Sequence, residues 1–185
     1  MTDRAALIMM LAERSAKRGQ FTLASGKSSK YYIDARLTTM SPEGLSLIGP
    51  LALSALNQSG WEISAVGGLT LGADPISYAI SYASAASARP LRAFTVRKET
   101  KTHGTGKTIE GPFKNGDRVA VIEDVITTGG SALRAIEAVR AENATVAGVL
   151  ALVDREEGGR EAIQAVGVPV ITLVTATQII EALES

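Results

Sequence analysis

Glu123 and Asp124 stand side by side at the end of an apolar run in VAVIEDVITTGGSALRAI, residues 119–136. Thr127, Thr128, Gly129, Gly130 and Ser131 follow within a few positions. Small residues ahead of a helix let successive backbone N–H groups converge on one anion, and threonine and serine hydroxyls add further donors. Such a loop suits a phosphate. A phosphate alone gives no reason for two neighbouring carboxylates, which would repel it, but a ligand carrying hydroxyls beside its phosphate does. A phosphorylated sugar meets both demands.

A second stretch, RKETKTHGTGKTIEG at 97–111, gathers Arg97, Lys98, Lys101, Lys107 and the chain's one histidine, His103. Its GTGKT has the tail of a P-loop but not the rest. The motif requires glycine where this chain has Lys101, a strand directly before it and a helix directly after. No G-x-G-x-x-G follows any strand pattern, so a dinucleotide site has no support either. The segment from Lys98 to Asn115 is long for a loop in a compact domain, and such loops are usually functional or mobile. By itself a histidine among cations fits a solvated surface as well as a site. Arg155, beside Asp154, Glu156 and Glu157, likewise fits either an anion clamp or a surface ion-pair cluster.

Positioning these groups falls to a chain of 185 residues, 45% of them apolar, enough for one sizeable core and most simply a single domain over 1–185. Nineteen basic residues balance nineteen acidic ones, so no global field would hold the protein on nucleic acid or an anionic membrane. Any anion must be gripped locally. The lack of cysteine excludes thiolate zinc sites and cysteine nucleophiles and fits a cytoplasmic location. The amphipathic N-terminus reads as a helix running to Gly19, neither signal peptide nor membrane span.

FTLASGKSSKYYIDAR reads as a small hairpin, and Ser41-Pro42 as the capped start of a helix reaching Gly60. From there strand and helix patterns alternate: ISAVGG, DPISYAISYASAA, LRAFTVR, RVAVIEDV, SALRAIEAVRAEN, VAGVLALV and VPVITLVT, then a closing helix. The alternation predicts an α/β fold with a mostly parallel central sheet flanked by helices, its ligands beyond the carboxyl ends of the strands. In GGLTLGADP, Gly68 and Gly72 are expected to free the backbone for a turn. Trp61, Tyr78 and Tyr82 are expected to be packing residues.

The paired acids followed by VITTGGS resemble the PRPP-binding signature of type I phosphoribosyltransferases. FTLASGKSSKYY, RKETKTHGTG, IEDVITTGGS and LVDR, in that order from about Phe21 to Arg155, narrow the resemblance to the orotate phosphoribosyltransferase family. It implies the type I phosphoribosyltransferase fold, with an N-terminal helix and hood over about 1–40 and a mobile catalytic loop over about 98–111. It further implies transfer of the 5-phosphoribosyl group from PRPP to orotate, giving orotidine 5′-monophosphate and pyrophosphate in de novo pyrimidine biosynthesis.

By the same resemblance, Glu123 and Asp124 bind the ribose hydroxyls, and Val125, Ile126, Thr127, Thr128, Gly129, Gly130 and Ser131 wrap the 5′-phosphate. Arg97, Lys98, Lys101 and His103 meet PRPP, with Lys101, His103 and Asp124 catalytic. Thr127, Arg155 and Tyr32 hold orotate. Ala24 stands where many relatives carry a PRPP-contacting lysine, and Lys27 is its expected substitute; Leu71 and Gly72 replace a tyrosine-lysine pair of some relatives. Mg²⁺ is implied as cofactor, held mainly through PRPP and water with no direct protein ligand. A homodimer that shares the catalytic loop between subunits is implied as well. A transferase for another base and a non-catalytic PRPP sensor are the alternatives. The lid sequence together with Arg155 argues against the first, and the presence of Lys101 and His103 against the second.

Overall fold

The computed structural model describes residues 3–22, 28–98 and 108–185. Helix α1 (Asp3–Met10) passes into a π-helical turn, Leu11–Ser15, after which β1 (Ala16–Thr22) begins at once. The helix expected to reach Gly19 therefore stops earlier. Residues 16–18 are extended because they pair antiparallel with residues 33–31 of β2 (Ser28–Ile33), and this pairing overrides the helical pattern. Leu7, Leu11 and Ala12 are buried and fasten the N-terminal segment to the core. The expected hairpin is present.

A short α2 (Arg36–Thr39) leads to α3 (Pro42–Gln58). Ser41 Oγ accepts the Gly44 N–H at 3.0 Å, with proline at the first helical position, which is the start read from the sequence.

The main sheet holds β3 (Ala65–Leu69), β4 (Arg92–Val96), β5 (Ile109–Glu110), β6 (Arg118–Ile126), β7 (Thr145–Asp154) and β8 (Val170–Thr175), in the order β5-β4-β3-β6-β7-β8. All neighbours are parallel except β5, which runs antiparallel to β4. The helices α4 (Ala73–Ser84), α5 (Gly130–Ala141), α6 (Gly159–Ala165) and α7 (Ala176–Glu184) complete the chain. Successive β6 residues serve opposite faces. Ala120 and Ile122 pack with Leu7, Ile48 and Ile76 on one side, Val119 and Val121 with Ala135 and Val139 on the other.

From β3 the chain crosses through α4 to β4 on one side, and from β6 through α5 to β7 on the other. The strand order thus reverses between β3 and β6, where a crevice opens beyond their carboxyl ends.

Three details depart from expectation. Ile109 and Glu110, read as part of a mobile loop, pair with Val96 and Thr95; Ile109 is buried, so the carboxyl end of that segment is anchored to the sheet. The short α6 had no strong periodic signal. Tyr82 is 86% exposed and Tyr78 54%, so neither is a core residue, whereas Trp61 packs against the backbone at Gly148 as expected. No helix among the described residues is long and apolar enough to cross a membrane.

Candidate active site

A cavity of about 540 Å³ lies in the crevice, bounded by the end of β2, the turn after β3, the end of β6 and the residues after β7. A second, of about 500 Å³, shares Glu123, Val125, Thr127, Thr128 and Ser131 with it and extends to Gly129, Gly130 and Arg134. Together they form one trough across the carboxyl end of β6.

One end of it is the start of α5. Gly129 holds φ +82°, a left-handed conformation, and a β-carbon there would meet the Gly159 carbonyl oxygen at 2.8 Å. The chain can therefore reverse sharply and present the first amides of α5 to an anion. Thr127, Thr128 and Ser131 line the trough as expected. Ile126 does not: its side chain is in the core and its carbonyl accepts the Arg155 N–H at 2.9 Å, because it is still part of the β6–β7 ladder.

Glu123 and Asp124 stand at the middle of the trough. Glu123 is only 7% exposed, and burial first, then the charge and hydrogen bond of Asp124, push its carboxyl well above the ordinary value; Arg134 opposes weakly. Burial thus favours the protonated carboxyl, the form that can donate to a ligand hydroxyl. Asp124 is half-buried, and its Oδ1 accepts the Val125 N–H at 2.9 Å.

The turn after β3 faces Asp124. Asp74 braces it, accepting from Thr70 Oγ1 and Thr95 Oγ1, each at 2.7 Å. Gly68 and Gly72, expected to supply backbone freedom, have no positive φ. They permit close approach instead: a β-carbon at Gly68 would collide with the Ile122 carbonyl, and one at Gly72 would come within 2.5 Å of Asp124 Oδ1.

At the other end, Tyr32 is 40% exposed and its ring lies 5.5 Å from that of Phe21 at 34°. Arg155 also lines this end, its side chain 9% exposed and its Nη2 2.9 Å from Glu157 Oε1. The neighbouring acids have separate tasks. Asp154 accepts the Glu156 N–H at 2.8 Å and Arg160 Nε at 3.1 Å, and the Glu156 carboxylate accepts from Thr177 at the start of α7. Arg155 is thus held toward the cavity and is not a member of a loose surface cluster.

Lys98 lines the cavity, but Arg97 is not among the lining residues: its Nε and Nη2 lie 2.9 and 2.8 Å from Glu110 Oε1 across the β4–β5 edge. Lys27, Lys101 and His103 lie outside the described residues. Asp34, Arg36 and Glu157 line the cavity although the sequence reading did not single them out. Their signal was weak, an acid and a base two positions apart after the tyrosine pair and an acid two positions beyond Arg155.

No protein-family model matches the chain. The orotate phosphoribosyltransferase of Aquifex aeolicus is 45% identical to it over 183 residues, covering 97% of this chain and 99% of that protein. Among solved structures, Mycobacterium tuberculosis H37Rv orotate phosphoribosyltransferase in complex with Fe(III) dicitrate matches with a TM-score of 0.84 at 42% identity, over 96% of this chain and 99% of that one. The same enzyme in complex with 5-phospho-α-D-ribosyl 1-diphosphate (PRPP) matches with a TM-score of 0.80 at 39% identity, over 96% and 99%. At this identity and coverage the chain belongs to the orotate phosphoribosyltransferase family.

Proposed function

We propose that the protein transfers the 5-phosphoribosyl group from PRPP to orotate, releasing pyrophosphate, in the cytoplasm. The observation that carries this reading is the single trough that joins an amide-rich helix start, two adjacent acids and an arginine beside an exposed tyrosine. The 5′-phosphate is held at Thr127–Ser131, and Glu123 and Asp124 take the ribose hydroxyls. Orotate lies against Tyr32 and Thr127 with its carboxylate on the guanidinium of Arg155, which can donate two parallel hydrogen bonds once it leaves Glu157.

As the bond from the anomeric carbon to pyrophosphate breaks, positive charge grows on the sugar and negative charge on the leaving group, and a ring nitrogen of orotate then bonds to that carbon as its N–H proton is given up to the pyrophosphate released. Asp124 stabilises the sugar's charge, while Lys98, Lys101 and His103 stabilise that of pyrophosphate. No group of three acidic or histidine ligands exists among the described residues, so no all-protein metal cage is available there. With the charged form of Glu123 disfavoured by burial, Asp124 is the carboxylate that fits Mg²⁺ in a site for a polyanion, and it would orient the ion through water while substrate oxygens bind it. When bound it neutralises pyrophosphate charge. The same reading includes a homodimer that shares the catalytic loop between its subunits.

Orotate consumption followed by ultraviolet absorbance, with PRPP and Mg²⁺, tests the reading. Loss of orotate that requires both, with uracil and adenine untouched, is the expected result. Consumption of another base, or no turnover despite PRPP binding, would overturn it.

A further inference from the structure

Arg36 stands at the start of α2 with its side chain 51% exposed, and it lines the main cavity. Its Nε and Nη2 lie 2.8 and 2.9 Å from the two carboxylate oxygens of Asp34, and its own backbone N–H donates to Asp34 Oδ1 at 3.1 Å. Asp34 is itself fixed, since its N–H donates to the Ser15 carbonyl at 2.9 Å. The guanidinium plane is therefore set by two parallel hydrogen bonds, and Nη1 has no partner among the described residues. A solvated arginine on a surface would contribute little and take many rotamers. This one is oriented, with Tyr32 and Asp124 both within its electrostatic reach.

The sugar geometry says what Arg36 can meet. With the 5′-phosphate at Thr127–Ser131 and the 2′- and 3′-hydroxyls on Glu123 and Asp124, the anomeric carbon lies on the far side of the hydroxyl pair from the phosphate loop. The Leu71–Gly72 turn, which lies against Asp124, has no cationic side chain, and Arg36 lines the same cavity. The other cations lining the cavity are Arg155, paired with Glu157, and Lys98. A pyrophosphate group entering beside Asp124 needs a positive partner there.

We infer that Arg36, aimed by Asp34, binds the pyrophosphate group of PRPP, making the Asp34–Arg36 pair a second anion clamp in the site. The inference rests on the reading of the trough as a PRPP site. Titration calorimetry of wild type, Arg36→Ala, Arg36→Lys and Asp34→Asn with PRPP, pyrophosphate, ribose 5-phosphate and orotate tests it. Loss of a charge-assisted bond should weaken PRPP and pyrophosphate binding about tenfold in Arg36→Ala. Arg36→Lys and Asp34→Asn should fall between, while ribose 5-phosphate and orotate bind as in wild type. Equal weakening of ribose 5-phosphate, weakening of orotate alone, or unchanged pyrophosphate binding would each overturn the assignment. Failure of the wild type to bind PRPP would instead remove the underlying reading. Arg36 is exposed, and unchanged melting midpoints will separate lost binding from lost fold.

Discussion

The backbone at Gly72 approaches the Asp124 carboxylate so closely that a β-carbon at position 72 would lie 2.5 Å from Oδ1. Two chain segments 52 positions apart therefore set the position of one acid. Gly72 has an ordinary helical φ of −59°, so alanine is conformationally acceptable there, and the effect of substituting it falls on Asp124. Gly72→Ala should lower kcat/KM for PRPP by about 100-fold, the scale of a displacement near 1 Å at a reacting centre, with a much smaller change in melting midpoint. Steady-state kinetics beside a thermal melt checks this, and a near-normal rate would mean that Asp124 tolerates displacement.

Glu123 sets a pH dependence. Its folded-state pKa lies well above the ordinary 4.5, so between that value and the raised one the folded protein binds more protons than the unfolded chain. Stability therefore falls as pH rises through this window. Glu123→Gln, uncharged throughout, should melt higher than wild type at neutral pH, and the difference should close toward pH 4.5. Melting midpoints of both proteins across this range, without ligand, test the sign; a constant difference would rule out the protonated carboxyl.

Asp117, 8% exposed, acts in the opposite direction. Burial alone would raise its pKa, but Arg92, the Lys114 amide and the Ser64 hydroxyl together bring it below the ordinary 3.8. These contacts tie the amino ends of β4 and β6 far from the trough. Asp117→Asn should cost about 3 kcal/mol at neutral pH, as expected when a mostly buried pair loses one partner. The cost should shrink as pH falls from 3.8 through the lower folded-state value, below which the wild-type carboxyl is protonated as well. Denaturant unfolding at two pH values measures it, and activity of the folded variant should persist.

The proposed sharing of the catalytic loop between subunits makes a separate prediction. Asp124→Asn and Lys101→Ala subunits should each be nearly inactive alone, and mixing them should restore activity, because one site of the mixed dimer then has both residues intact. The mixture is to be assayed after subunit exchange has been shown by mass. Exchange without recovery would assign Lys101 to its own subunit's site.

Much of the trough was legible in local pattern. The phosphate loop, the adjacent acids and the capped start of α3 each depend on residues within a few positions of one another, and local spacing carries that information. Arg155 could be named but not placed. Only the folded chain separates it from Asp154 and Glu156, which are occupied by Arg160 and by the start of α7. Arg36 was not singled out because Asp34 and Arg36 also fit an ordinary exposed pair. The early end of α1 and the anchoring of Ile109 depended on strand partners distant in sequence.

By itself the sequence determined the strand and helix alternation, hence a mostly parallel sheet with a crevice expected beyond its carboxyl ends, and the groups proposed to bind a phosphorylated sugar. Hydrophobic period, turn residues and loop chemistry are local properties and need no knowledge of the fold. The tertiary structure decided which of those groups meet. It brought the Gly72 turn against Asp124, buried Glu123 so that its pKa rises, turned Arg97 to Glu110 and set Arg36 at the cavity wall. Each of these follows from sheet order and from contacts between distant segments, which fix dielectric surroundings and direction and leave no trace in residue spacing.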